Sequence, residues 1–420
     1  MYALVDANNF YVSCEKVFNP ELEGKAVIVL SNNDGCIISR SNEAKALGLK
    51  MAEPAFNKKK YLEENKVSVF SSNYALYGDM SNRIIRVLET FTPRIEVYSI
   101  DESFLDLTGF EYNNLKRLGS EIKRTVKQYI GIDVTVGISK TKALSKIASN
   151  LAKKDKSYSG ICVLDTKREI DCALRNTHIG DIWGIGQQYR KFLKSNEILN
   201  AHDFIKTNDN WIRKYITVVG LRLKKELQGT SCIPLETILP AKKAIATTRG
   251  FGKIVTDVTY LKEAVSTYAT RCSEKLRKQN SVCNILTVFI HTDPFSKDEY
   301  QYLSKTIHLV VSTNSQIELA KFALKGLKMI YKEGVRFKKA GVIVDGLESA
   351  NNIQTGLFSK IDIKAQNQIS EASDNINKKY GRDKIKLAIQ GDGKEWKLKQ
   401  EMLSGKYTTQ WSDIIKVTSS

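Results

Sequence analysis

The chain has 420 residues, room for two to four domains, and its 42% apolar and 26% charged residues exclude a largely disordered polymer. Its 65 Lys+Arg against 46 Asp+Glu leave a net charge of +19. Residues 1–100 hold 12 basic and 12 acidic residues, so the whole excess lies in 101–420, which excludes a uniform cationic coat and points to an anionic partner for the later regions.

The opening Met1-Tyr-Ala-Leu-Val-Asp6 has neither the basic start nor the apolar stretch of a secretory signal. Apolar runs such as 26–30 fall far short of the ~20 residues that span a bilayer. A cytoplasmic protein with no membrane partner is expected. Seven cysteines, odd in number and without a Cys-x-x-Cys pair, read as reduced thiols, and four histidines suggest no His-based metal site.

In chain order, residues 2–6 and 27–30 read as short buried strands. Residues 41–49 read as a helix with Ser41 as N-cap and Gly48 as its stop. A helix is expected over 81–91, ahead of Pro93, and Arg94–Ile100 and Ser103–Leu107 then read as a hairpin around Asp101-Glu102. Leu115, Leu118, Ile122 and Val126 predict an amphipathic helix over 114–129. Asp133–Ile138 reads as a strand, 140–153 as a helix and 154–160 as a loop. Residues 168–228 are helical in pattern, interrupted by Gly184 and Gly186. Mixed elements return over 245–345, with strands at Asn284–His291 and Ala340–Asp345, and the Asn-, Gln-, Ser- and Lys-rich tail from 346 reads as a partly ordered appendage. The order predicts an α+β multidomain chain with helices against an antiparallel-rich sheet.

Asp6 ends the first strand, and Asp101 and Glu102 sit at the hairpin tip. A carboxylate at a strand end is often only a turn residue, but adjacent acids between apolar strands are less expected there. If the strand and the hairpin share one sheet, the three acids converge. Three converging carboxylates repel unless cations hold them. Hard divalent ions such as Mg²⁺ take oxygen ligands and favour phosphate partners, and two such ions are the usual device for in-line phosphoryl transfer.

Asp6 with Phe10-Tyr11, the segment Tyr98-Ser-Ile-Asp-Glu-Ser-Phe-Leu-Asp-Leu107, and Val136 through Lys153 together resemble the Y-family translesion DNA polymerases. Leu30-Ser-Asn-Asn-Asp-Gly-Cys36, Glu43-Ala-Lys-Ala-Leu-Gly48, Trp183-Gly-Ile-Gly186 and Met402-Leu-Ser-Gly-Lys-Tyr-Thr-Thr409 are similar to one branch of it, the catalytic subunit of bacterial DNA polymerase V. The resemblance spans essentially the whole chain. It implies a right-hand fold: palm at 1–10 and 80–165, fingers at 11–79, a helix-hairpin-helix thumb at 166–235, a linker at 236–245, an α/β little finger at 246–347 and a tail at 348–420. It implies error-prone translesion synthesis in DNA repair and SOS mutagenesis, by nucleotidyl transfer from a dNTP to a primer 3′ end.

By the same resemblance, Asp6, Asp101 and Glu102 are catalytic and hold two Mg²⁺ ions, with help from the Ala7 carbonyl. Tyr11 matches the ring that blocks a ribose 2′-hydroxyl, with Phe10 beside it mainly as packing. Ser39, Lys45 and Lys153 match triphosphate contacts. Many members carry Tyr and Arg where this chain has Asn42 and Lys45, and a lysine is a point charge rather than a bidentate fork. Taken alone, Lys153 is an ordinary solvated lysine on the same helix face as Lys146, and only the motif singles it out.

Trp183, Gly184, Ile185 and Gly186 resemble the hairpin that lets backbone approach a phosphate ahead of a helix N-terminus. Thr248-Arg-Gly-Phe-Gly252 resembles the opening of the little finger. Arg249, Lys253 and Lys338, with Lys242, Lys243, Arg336 and Lys339, are the candidate DNA-backbone contacts, expected to make binding salt-sensitive. In the tail, Gln354, Leu357 and Phe358 resemble a sliding-clamp-binding peptide, which compensates a loose grip by effective concentration. The branch implies primer–template DNA and dNTP as substrates, and a sliding clamp, a processed UmuD-like dimer and a RecA filament as partners. Two other readings stay open at this point: a non-catalytic damaged-DNA-binding scaffold, and another palm-type phosphoryl-transfer enzyme such as a nucleotide cyclase.

Overall fold

In a computed structural model of the chain, every residue is described except 111–114, 239, 297, 353–361, 393–395 and 417–420. The chain divides into two units: Met1–Ser31, Gly35–Leu239 and Met402–Ser420 form the first, and Asn32–Asp34 with Pro240–Glu401 the second. The division near 239 falls inside the segment expected as a linker.

The first unit opens with β1 (Tyr2–Ala7) and α1 (Phe10–Phe18), followed by β2 (Val27–Leu30), β3 (Ile37–Arg40), α2 (Asn42–Ala46), α3 (Lys59–Glu64) and β4 (Ser68–Ser71). Then come α4 (Tyr74–Leu88), β5 (Ile95–Val97), β6 (Glu102–Asp106), α5 (Leu115–Ile130), β7 (Val134–Ser139), α6 (Lys142–Lys154) and β8 (Ile161–Leu164). Five further helices complete it: α7 (Lys167–Asn176), α8 (Gln187–Ser195), α9 (Ala201–Lys206), α10 (Asp209–Tyr215) and α11 (Thr217–Leu227). Ser41 caps α2 by accepting from the Ala44 N–H, as its place before the helix predicts. By contrast, α4 starts seven residues before the expected 81, because Asn73 caps it through the Leu76 N–H. Gly78 and Asp79 obscure that first turn in the sequence.

The main sheet runs β5-β6-β1-β7-β8. Its central strand β1 pairs antiparallel with β6 and β7, so Asp6 lies opposite Glu102 on one side and Thr135 on the other. Alternation along the strands sends Ala3, Val5 and Leu105 into one core, shared with α1, α4 and α5. Leu4, Asp6, Glu102, Phe104, Glu96 and Gly137 share the opposite face by register, and α6 covers it. A smaller sheet, β3-β2-β4, carries α2 and α3 around its own core.

The position of α6 rests on Gly137. A Cβ built there would stand 2.2 Å from the Ser149 nitrogen and 2.4 Å from the Ser145 carbonyl oxygen. Both are helix backbone, so no rotamer change relieves the contact. The N-terminus of α6 is fixed by the wholly buried Glu226 of α11, whose carboxylate accepts from the Ala143, Cys232 and Ile233 N–H groups. Lys142, also buried, donates to Glu96 at 2.6 Å and lies over the Phe104 ring, while Glu96 accepts from the Glu236 N–H.

The second unit is built from β9 (Ile245–Val255), α12 (Val258–Lys278), β10 (Ser281–Thr292), β11 (Tyr302–Thr313), α13 (Gln316–Ile330), β12 (Phe337–Ser349) and α14 (Ile363–Tyr380). Its sheet, β11-β10-β12-β9, is antiparallel throughout, with α12 and α13 against one face. The described part of the tail does not stand apart as an appendage. Asp374 of α14 pairs with Arg277 of α12 through two hydrogen bonds, and Trp396 meets the buried Tyr268 edge-on. Residues 402–409 pack within the first unit. The clamp-like peptide Gln354–Phe358 lies outside the described residues.

Gly137→Ala is expected to destabilise the chain by about 3 kcal/mol or more, read as a fall in the urea midpoint, because overpacking here meets backbone. Lys142→Met is expected to cost about 3–5 kcal/mol by leaving Glu96 buried without its partner. Adding Glu96→Gln should restore much of that loss; a double variant as unstable as the single would refute the pairing argument.

Candidate active site

Asp6, Asp101 and Glu102 come to one end of the β1–β6 pair. The Ala7 N–H donates to the Asp101 carbonyl at 2.8 Å, which ties the end of β1 to the turn before β6. Ser99 holds that turn, donating its hydroxyl to the Asp101 carboxylate and accepting from the Glu102 N–H at 3.0 Å. Glu102 is the first residue of β6 rather than a tip residue. Thus the hairpin delivers one acid from its turn and one from its strand.

Two of the three carboxylates are held by lysines of α6. Lys153 donates to Asp6, and Lys146 reaches both oxygens of Glu102 at 3.0 and 3.1 Å. Burial pushes the Asp6 carboxyl up to about 6 against the pull of Lys153, and Glu102 and Asp101 add to the rise. Among the described residues, no three His, Cys, Asp or Glu side chains stand together as a ready-made metal site. Lysine ammonium groups supply the counter-charge of Asp6 and Glu102.

Beside them opens a cleft of about 510 Å³ lined by asparagines, Thr135 and four lysines. That size suits a small ligand. Lys45 and Lys153, the two lysines expected to contact a triphosphate, are among its lysines. Lys45 also donates to Asn9 at 2.6 Å, and burial, with Arg40 and Lys153 nearby, pulls its pKa down. Lys123 and Lys156 complete the set and were not anticipated. One sits on an amphipathic helix and the other in a polar turn, where a lysine carries no distinguishing signal.

Ser39 is buried, and its hydroxyl donates to the Asn9 carbonyl and accepts from the Val12 N–H. It thereby pins the start of α1, where Asn9 adopts a left-handed conformation at φ 49°. Phe10 is a core residue at 4% exposure, in keeping with packing. Tyr11, on the same helix, is only partly buried and stacks on Tyr77 at 4.6 Å between ring centroids.

In the helical part, Trp183 donates its indole N–H to the Tyr98 hydroxyl at 2.8 Å. Gly184 has φ +88°, a conformation that favours glycine, and Gly186 is the N-cap of α8 with open space around its Cα. Ile185 belongs to the local core, so only its backbone is available there. In the second unit the candidate cations divide between two faces. Arg249 pairs in register with the core residue Ala340, which puts it on the helix-covered face. Lys339 lies opposite Gly250 on the other face. Lys253 is exposed and Lys338 half-buried.

The impB/mucB/samB family model matches residues 5–150, and its C-terminal domain matches 242–357. A domain of unknown function matches 367–417. The protein UmuC of Salmonella typhimurium is 40% identical over 99% of this chain and its own full length. DNA polymerase IV of Oceanobacillus iheyensis is 25% identical over 91% of this chain and 90% of its own. A solved Y-family DNA polymerase chimera of Dbh and Dpo4 shares the fold with a TM-score of 0.69 at 24% identity, covering 83% of this chain and 99% of the chimera. With this architecture and full-length likeness, the chain belongs to the impB/mucB/samB family, the UmuC branch of the Y-family DNA polymerases.

Proposed function

We propose that this polymerase performs error-prone translesion synthesis, transferring a nucleotide from a dNTP to a primer 3′ end opposite damaged template. The observation that carries the reading is the convergence of Asp6, Asp101 and Glu102 beside a cleft lined by four lysines. Lys153 lines that cleft and pairs with Asp6, so carboxylates and a basic cleft lie side by side, as phosphoryl transfer requires.

Y-family polymerases generally use divalent metal ions. The donor set fits such ions: three carboxylates, with the Ala7 carbonyl nearby, are hard oxygen ligands. A buried acid whose pKa is raised, and lysines already seated on two of the three, show a cluster that demands cationic charge. Asp6, Asp101, Glu102 and the Ala7 carbonyl would hold two Mg²⁺ ions, which when bound supply charge stabilisation for the attacking and leaving oxygens. The chain's own residues do the rest. Lys45 and Lys153 bind the triphosphate, joined by Lys123 and Lys156 at the cleft rim. Ser39 orients α1 so that Tyr11 sits against the sugar and refuses a 2′-hydroxyl.

In this reading the palm, fingers and thumb take the parts of the first unit expected from the sequence, and the little finger takes the second. The hairpin at Trp183–Gly186 offers backbone N–H groups to DNA phosphates, and Arg249, Lys253 and Lys338 add charge. A sliding clamp, a UmuD-like dimer and a RecA filament are proposed as partners on sequence resemblance alone. No helix among the described residues is long and apolar enough to cross a membrane, and a cytoplasmic site of action is part of the proposal.

Primer extension across undamaged and abasic templates, with Mg²⁺ and with the accessory factors added, tests the reading. The parent is expected to extend, and Asp101→Ala to lose at least about 100-fold in kcat/KM, a loss in the range of removing one preorganised electrostatic contact. A parent that never incorporates a nucleotide under these conditions sinks the proposal. Tyr11→Ala should admit ribonucleotides, read as a fall in the dNTP-to-rNTP ratio of kcat/KM; an unchanged ratio removes the gate role.

A further inference from the structure

Residues 402–409, a motif singled out in the sequence, have no part in the chemistry described so far. They run back along the first unit. The Ser71 N–H donates to the Met402 carbonyl at 2.9 Å, and the Met402 N–H returns to the Ser71 hydroxyl at 3.0 Å. Asn73 donates its amide to the Ser404 hydroxyl at 2.9 Å and to the Gly405 carbonyl at 3.1 Å. Tyr407 stacks on Phe18 of α1, with centroids 5.0 Å apart and planes 15° from parallel. The segment therefore grips both α1 and the start of α4, the two helices that carry Tyr11 and Tyr77.

At the centre of this contact stands Glu15, only 2% exposed. One of its oxygens accepts from the Tyr77 hydroxyl at 2.6 Å and from the Ser404 hydroxyl at 3.0 Å. A buried carboxylate needs such donors, since an unmet one is costly. Tyr77 is wholly buried, and its ring lies under Tyr11 at 4.6 Å with planes 24° apart. Tyr74 closes the cluster, edge-on to both rings at 6.0 and 6.2 Å. A continuous line of contacts thus leads from Ser404 through Glu15 and Tyr77 to the Tyr11 ring.

We propose that residues 402–409 are a positioning strap for the Tyr11 ring, acting through Ser404, Glu15 and Tyr77, and that they set how strictly the nucleotide site rejects a ribose 2′-hydroxyl. This rests on the reading of Tyr11 as the sugar gate. Stacking alone lets two rings slide, because offset geometries are close in energy. The hydroxyl of Tyr77, held by Glu15, removes that freedom at the far end of the lower ring. Ser404 in turn fixes the carboxylate, so the strap selects one position of the pair. Ser404, Glu15 and Tyr77 are positioning residues and touch no substrate.

The test uses the full chain on a primer–template, with kcat/KM measured for a dNTP and its matching rNTP. Ser404→Ala should lower the dNTP-to-rNTP ratio roughly 2- to 10-fold, the worth of about one hydrogen bond. Ser404→Thr, which keeps the hydroxyl, should restore the ratio. Combined with Tyr77→Phe, Ser404→Ala should add little, since both break one line of contacts. In a Tyr11→Ala background, Ser404→Ala should leave the ratio where Tyr11→Ala puts it. A purely structural strap gives a different pattern: dNTP and rNTP incorporation fall together, with or without the Tyr11 ring, and that result overturns the proposal. If Tyr11→Ala relaxes the ratio but Ser404→Ala does not move it, the strap proposal alone fails. If Tyr11→Ala leaves the ratio intact, the gate reading fails and the strap proposal with it.

Discussion

Three lysines on one helix face hold three carboxylates on three neighbouring strands. Lys142 meets Glu96 of β5, Lys146 meets Glu102 of β6, and Lys153 meets Asp6 of β1. Each pairing requires α6 to lie close across the sheet, and Gly137 sets how close. Its missing side chain lets the helix backbone settle directly on β7. From that contact outward, the helix fixes the charge balance of the site. The three pairs also differ in kind. Lys142–Glu96 is buried and locked by a ring and a backbone N–H, so it is structural. Lys146 and Lys153 are more open and meet the acids of the site, so their ammonium groups are within reach of other anions. One helix thereby divides its lysines between a buried structural pair and two more open ones.

A second constraint is the buried acid Glu15. Burial pushes its carboxyl up, and hydrogen bonds from Tyr77 and Ser404 pull the other way. One of those donors comes from 389 residues later in the chain. A residue in the first helix therefore gains its second donor only from a segment near the far end of the sequence. The aromatic stack of Tyr11, Tyr77 and Tyr74 is built directly on this acid, which links the terminal segment to the Tyr11 ring without touching it.

How much of this was legible in the sequence depends on what each residue had to do. Asp6 and the Asp101-Glu102 pair stood out because charged residues interrupt apolar strands, and strand register then made them neighbours. The α+β class followed from element order. Lys153 was singled out only by its motif, and Lys123 and Lys156 not at all, since one lysine on an amphipathic helix looks like another. Nothing in the sequence marks Lys142 as buried, yet it is 2% exposed, and its partner lies 46 residues away on a different element. The same distance problem hid Glu15 and Ser404. Arg249 and Lys339 were grouped as candidate DNA-backbone contacts, but pleat alternation puts them on opposite faces, which a count of basic residues does not register.

The +19 net charge takes on a sharper meaning against this geometry. The first hundred residues are neutral, and they supply Asp6, Tyr11, Ser39 and Lys45. Three of the four lysines lining the cleft, Lys123, Lys153 and Lys156, come from the basic remainder of the chain. The cleft thus draws one lysine, Lys45, from the balanced part and three from the basic remainder. Asp101 and Glu102 come from that remainder and are already counted in its surplus, whereas Lys142 and Lys153 are spent on Glu96 and Asp6 of the neutral part. Net charge alone locates the excess in sequence. Only the crossing of α6 over the sheet shows that some of it is already neutralised by carboxylates, while the exposed remainder is what DNA phosphates can meet.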